Sequence, residues 1–154
     1  MAETVRESIL ANIKTKLSAI SVANGYRTAV ASVQRWNQHG NTLVSVPCII
    51  ISAGEDKWDA SKTPVIRAQM DVVLTAWIRQ AEDDTNPTDK VLNDLLADIF
   101  ECLWADTTLG GKAIDLDFDS IYPFETIEGN PFSGLEIVIK VLYGFQQSDP
   151  ETVG

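Results

Sequence analysis

Asp115-Leu116-Asp117-Phe118-Asp119 places an acid at every second position and is the segment of this chain that comes nearest to a chemical motif. Carboxylates at the first, third and fifth positions open a calcium loop, where oxygen ligands wrap a hard cation. The pattern then departs from that loop. Ser120 stands where the tight turn needs glycine, and Thr126 where a bidentate glutamate would close the site. Leu116 and Phe118 alternate with the aspartates as the buried side of a strand does, so Asp115, Asp117 and Asp119 read as one wet, acidic strand face.

Other chemistry has less support. His39 is the single histidine, so one chain cannot supply a His-His metal pair and a Ser-His-Asp triad would hang on one residue in a polar loop. It reads as a surface residue. The short acidic clusters Glu55-Asp56 and Glu82-Asp83-Asp84 read as solvated loops. No GxGxxG occurs, nor a GxxxxGK followed by serine or threonine, so a nucleotide phosphate has no cradle. No nucleophile, base and oxyanion donor converge, and the expectation is a protein without catalytic residues, metal or cofactor. Aromatic side chains are the better lead. Trp58 lies in a charged stretch, and Tyr122, Phe124 and Phe132 lie in a segment rich in proline and glycine. Such rings either form a contact surface or fold back over the ends of their own core.

The elements that must carry these residues follow from periodicity. A helix is predicted over 4–19, with Thr4 and Glu7 spaced as a capping box and Val5, Ile9, Ile13, Leu17 and Ile20 forming one apolar stripe. Strands are predicted over 26–35, where alternation is weak, and over 46–52, a continuous apolar run with Pro47 at an edge-compatible start. Residues 54–63 read as a loop. A long strand is predicted over 65–79, with a bulge near Ala68-Gln69 to repair its register. Asn86-Pro87-Thr88 opens a second helix that runs to Trp104 with Val91, Leu92, Leu95, Leu96, Ile99, Phe100 and Leu103 on its apolar side. Gly110-Gly111 then turns the chain into a strand over 113–120, a loop over 121–134 and a strand over 135–145. Residues 146–154 read as a flexible acidic tail. The predicted fold is α+β, in the order α-β-β-β-α-β-β, with a largely antiparallel or mixed sheet of about five strands and both helices on one face.

Composition sets the frame for function. The 154 residues, 45% of them apolar, fill one ordinary core and predict a single soluble domain. A net charge of −10, with 12 basic residues scattered among 22 acidic ones, argues against binding along a nucleic-acid backbone. No apolar run approaches the roughly 20 residues of a membrane span and the first residues lack the apolar core of a signal peptide, so the expected compartment is the cytoplasm. Cys48 in a strand and Cys102 in a helix read as small buried hydrophobes rather than a disulfide or redox pair.

In element order and size, nearly the whole chain resembles the tail terminator, or tail completion, proteins of long-tailed bacteriophages, a group that includes the minor tail protein U family. The segments that carry the resemblance are Val5-Arg6-Glu7-Ser8-Ile9-Leu10, Val46-Pro47-Cys48-Ile49-Ile50-Ile51 leading to Gly54-Glu55, Ala97-Asp98-Ile99 through Asp106-Thr107-Thr108-Leu109-Gly110-Gly111, and Glu136-Ile137-Val138-Ile139-Lys140-Val141-Leu142-Tyr143. The resemblance implies a non-enzymatic virion protein, monomeric until it meets the tail tube. It would assemble as a hexameric ring on the last ring of tube protein, stop tube growth and offer the surface joined to the head or neck, with DNA passing through the lumen. Residue roles come from chemistry alone: Trp58, Tyr122, Phe124 and Phe132 as interface candidates, and Asp115, Asp117 and Asp119 as lumen candidates. A head-tail connector ring, which would bind portal or adaptor instead of tube, is the nearest alternative. An acidic DNA mimic is weaker because its carboxylates must lie densely at phosphate spacing.

Overall fold

In the computed structural model, residues 2–35, 45–59, 64–80, 85–124 and 131–154 are described. His39, Glu82-Asp83-Asp84 and Thr126 lie outside them. The elements are α1 (Val5–Ser18), a short 3-10 turn (Val22–Asn24), β1 (Ser32–Arg35), β2 (Cys48–Asp59), β3 (Val65–Arg79), α2 (Thr88–Trp104), β4 (Asp115–Pro123), β5 (Phe132–Gln146) and β6 (Asp149–Val153). The strands form one mixed sheet in the order β1-β2-β3-β5-β4, and β6 pairs with the end of β5. Only β1 and β2 run parallel; the remaining pairs are antiparallel. The α+β architecture with both helices on one sheet face is the one the periodicities predict.

The core lies between the helices and that face. α1 contributes Val5, Ile9, Leu10, Ile13 and Leu17, and α2 contributes Leu95, Ile99, Cys102 and Leu103. They meet Ile49 and Ile51 of β2, the even-numbered residues from Ile66 to Ile78 of β3, and Leu135, Ile137, Ile139, Val141 and Tyr143 of β5. Each large aliphatic side chain so buried contributes on the order of 1.5–3 kcal/mol. The Thr4 side chain caps α1 by accepting the Glu7 amide at 3.1 Å. Glu7 does not complete the capping box, because its carboxylate holds Arg35 through two bonds of 2.9 and 3.1 Å. Pro87 is the N-cap of α2 and supplies no side-chain bond. Among the described residues no helix is long and apolar enough to cross a membrane.

Several expected boundaries move, each for a local reason. β1 is confined to Ser32–Arg35, because the amides of Arg27 and Thr28 are taken by Asp98 of α2 at 3.1 and 2.8 Å and are not free for a strand ladder. Of the expected 54–63 loop, residues 54–59 are instead the second half of β2, reached through a bulge in which Gly54 and Glu55 together oppose Asp71, and residues 60–63 lie outside the described ones. The bulge predicted near Ala68-Gln69 is absent. β3 alternates without a break, and the extra residue sits on its partner. A bulge shifts side-chain parity by one, so Ile49 and Ile51 face the helices before it and Asp56 and Trp58 face them after it. β4 and β5 extend into the predicted 121–134 loop as far as Pro123 and from Phe132. The expected loose tail forms β6: Val153 pairs with Phe145, and the Gly154 amide donates to the Gly144 carbonyl at 3.1 Å.

The turn after α2 is held from both sides. Leu109, Gly110 and Gly111 all have positive φ, at 51°, 71° and 83°, a run that glycine makes inexpensive at two of the three positions. Asp106 accepts the Thr108 hydroxyl at 2.7 Å and the Gly110 amide at 2.9 Å, with Lys16 of α1 3.2 Å away. These donors hold its carboxyl well below the usual range, the Thr108 hydroxyl first among them.

Candidate functional site

The aspartates of β4 sit on the sheet's last strand. Asp115 and Asp117 are in register with Leu142 and Lys140 of β5, whose side chains lie on the face away from the helices. Asp119 does not continue the row, because it is the extra residue of a bulge between Phe118 and Ser120. Lys140 is the positive centre of this region. Its ammonium lies 2.9 Å from Asp71, and that hydrogen bond, with the nearby charges of Asp119 and Glu55, holds its pKa above the ordinary lysine value. Asp115 and Asp117 are turned to the backbone, accepting the amides of Leu116 and Phe118 at 2.9 Å each. Carboxylates turned in this way do not converge on a cation, and among the described residues no group of three or more His, Cys, Asp or Glu could hold one.

The four aromatic candidates are not brought together. Phe124 stacks on Trp77 with ring centroids 5.0 Å apart, over Gly134. A Cβ on Gly134 would meet the Ala76 carbonyl oxygen at 2.5 Å and the two rings at 2.9 and 3.0 Å, so only glycine lets them close. Phe132 lies under the Arg79 guanidinium, 6.0 Å from ring centroid to Cζ. These two rings fold back on their own sheet. Trp58 and Tyr122 remain outside, 63% and 57% exposed. Trp58 touches Phe145 edge-on at 5.7 Å beside the β2–β3 hairpin, and Tyr122 sits on the outer face in register with Glu136.

A further aromatic group joins β4 to α2. Phe118 of β4 meets Phe100 and Trp104 of α2 edge-on, at 4.4 and 4.7 Å, and Trp104 is 51% exposed. Ile114 and Ile121, also exposed, flank Phe118 along the chain. The sequence held one signal, the spacing of Phe100 and Trp104 one helical turn apart, but nothing in it placed Phe118 beside them. This patch and the Trp58 patch lie on different strands, β4 and β2, three strand spacings or about 14 Å apart across the sheet.

Among the described residues, the half-buried carboxylate of Asp56 is already paired. Asp56 accepts Arg6 at 3.0 and 3.3 Å and the Tyr143 hydroxyl at 2.8 Å. Burial, then the bond to Asp56, pushes the Tyr143 phenol above its usual range. A cavity of about 370 Å³ opens beside this group, lined by Arg6, Glu7, Leu10, Arg35, Ile51 and Ala53. Its two guanidiniums are each held by a carboxylate, Arg6 by Asp56 and Arg35 by Glu7, so it presents no uncompensated charge to an anion. No protein-family model matches the chain, and no curated protein matches it.

Proposed function

We propose that the chain is a structural subunit of a phage tail, a tail terminator that assembles as a ring on the end of the tail tube, stops its growth and presents the surface joined to the head or neck. The reading rests on the family resemblance. The observation that carries it in the structure is the pair of separate exposed patches, Trp58 with Phe145 on one side and Trp104, Phe118 and Ile121 on the other. Two different patches on one subunit suit a head-to-tail contact, which closes into a ring when the rotation per subunit permits. In this arrangement the Trp104 patch of one copy meets the Trp58 patch of the next, and Tyr122 lies at the margin. Asp115 and Asp117 face the channel, with Asp119 offset from them at the bulge, and carboxylates there repel DNA phosphates and let the duplex slide.

Native mass spectrometry and negative-stain imaging of the purified protein, alone and with tail tubes, test this. The expected result is a ring of about six subunits on tube ends, lost in Trp104→Ser and in Trp58→Ser while each variant stays folded. Rings that form normally in both variants overturn the contact. Binding to portal complexes in place of tubes assigns the chain to the connector class.

A further inference from the structure

The free edge of β4 shows how this chain avoids one kind of contact. β4 ends the sheet, and no described strand lies beyond it. The Leu142 carbonyl accepts the Ile114 amide at 2.7 Å, and the Gly134 carbonyl accepts the Phe124 amide at 3.0 Å. Even-numbered residues of β5 therefore turn their backbone groups toward β4. Their partners Asp115 and Asp117 turn theirs back toward β5, and the amides between, of Leu116 and Phe118, point off the edge. After the bulge at Asp119 the outward positions are Ile121 and Pro123.

An edge of nine residues carrying Leu, Phe, Ile and Tyr is a template for another strand. Here each outward position but one is closed. The Leu116 and Phe118 amides are occupied by the carboxylates one residue back, at 2.9 Å each, Pro123 has no amide hydrogen, and the bulge breaks the repeat. Ile121 is the one outward amide without such a device. We propose that Asp115 and Asp117 guard this edge against strand pairing with a second copy of the chain. An incoming strand must displace both carboxylates from the amides they hold. A second β4 would also bring its own aspartates against these, in a molecule already at −10. The proposal does not depend on the ring reading, since it concerns what free subunits avoid.

The test compares the wild type with Asp115→Ala/Asp117→Ala and with Asp115→Asn/Asp117→Asn, which keeps an acceptor oxygen and removes the charge. Sedimentation velocity over a concentration series reads association, circular dichroism reads folding, and amide hydrogen exchange reads the edge. In the wild-type monomer the Leu116 and Phe118 amides should exchange about tenfold more slowly than that of Ile121. The alanine pair should associate at about tenfold lower concentration, with new protection at Ile121, and the asparagine pair should fall between. Placing Trp104→Ser behind the alanine pair should leave this association intact; its loss there would assign the contact to the aromatic patch and overturn the guard. A folded alanine pair that sediments and exchanges like the wild type also overturns it. Should that variant not fold, free exchange of Leu116 and Phe118 in the wild type decides against the proposal, and protection there decides for it.

Discussion

Tyr143 of β5 donates its hydroxyl to Asp56 of β2 at 2.8 Å although β3 runs between the two strands. The bond exists because of two small features. Ala68, in register with Tyr143 on β3, leaves room for the ring to reach across, and the Gly54-Glu55 bulge turns Asp56 to the helix side. Arg6 of α1 closes the group from above, so one carboxylate ties a helix and two non-adjacent strands.

Removing members of this group should cost in a fixed order. Tyr143→Phe loses one hydrogen bond and should lower unfolding free energy by about 1 kcal/mol. Asp56→Ala strands both the phenol and a guanidinium and should cost about 2–3 kcal/mol. Urea denaturation of both variants gives the comparison; equal losses would show that Arg6 finds adequate partners in water.

Asp98 makes acid the condition that loosens α2 from the segment leading into β1. Burial raises its pKa, but bonds from the Thr28 hydroxyl, the Arg27 and Thr28 amides and the Arg27 guanidinium outweigh that, and the net direction is down. A carboxyl depressed on folding stabilises the fold fully above its unfolded pKa of about 3.9, and that contribution is lost as pH falls through the lower folded value. Asp98→Asn should destabilise by about 3 kcal/mol at neutral pH and flatten the acid limb of a stability-pH curve measured by thermal melts. A variant whose acid limb matches the wild type would place the acid sensitivity elsewhere.

Gly134→Ala should separate Trp77 from Phe124. The added methyl has no place beside the Ala76 carbonyl, and the cost should be about 1–3 kcal/mol. Near-ultraviolet circular dichroism reads the stacked pair directly. An unchanged spectrum with unchanged stability would refute the close approach.

At Leu109 two effects oppose each other. Its positive φ of 51° is strained for a non-glycine residue, yet the side chain is fully buried. Leu109→Gly relieves strain of about 1 kcal/mol and removes a buried leucine, which costs about 2–5 kcal/mol. Burial wins, and the variant should be less stable by denaturant titration.

Long, uniform patterns were legible in the sequence. β3 has the limits its apolar run predicts, and α2 ends at Trp104 as its period requires. What was not legible came from residues that break a pattern for a structural reason. Glu55 and Asp56 look like loop because a bulge spoils alternation there and because Asp56 has partners on β5 and α1 that lie far away in sequence. The Arg27 and Thr28 amides look available for a strand until Asp98, some seventy positions on, is placed beside them. The aromatic candidates divided for the same reason: Phe124 and Phe132 had partners on β3, at Trp77 and Arg79, that only the pairing of β3 with β5 brings near.

The two thiols give the molecule a pair of internal clocks. Cys48 is buried at the start of β2 in register with Trp77, on the sheet face away from the helices. Cys102 is buried in α2, where its Sγ donates to the Lys16 carbonyl at 3.2 Å and burial raises its pKa. Neither can react with an alkylating reagent until its own surroundings open. Labelling rates at Cys102 therefore time the parting of the helix layer, and those at Cys48 time the fraying of the sheet. Agreement between the two rates would mean that the layers come apart as one cooperative unit.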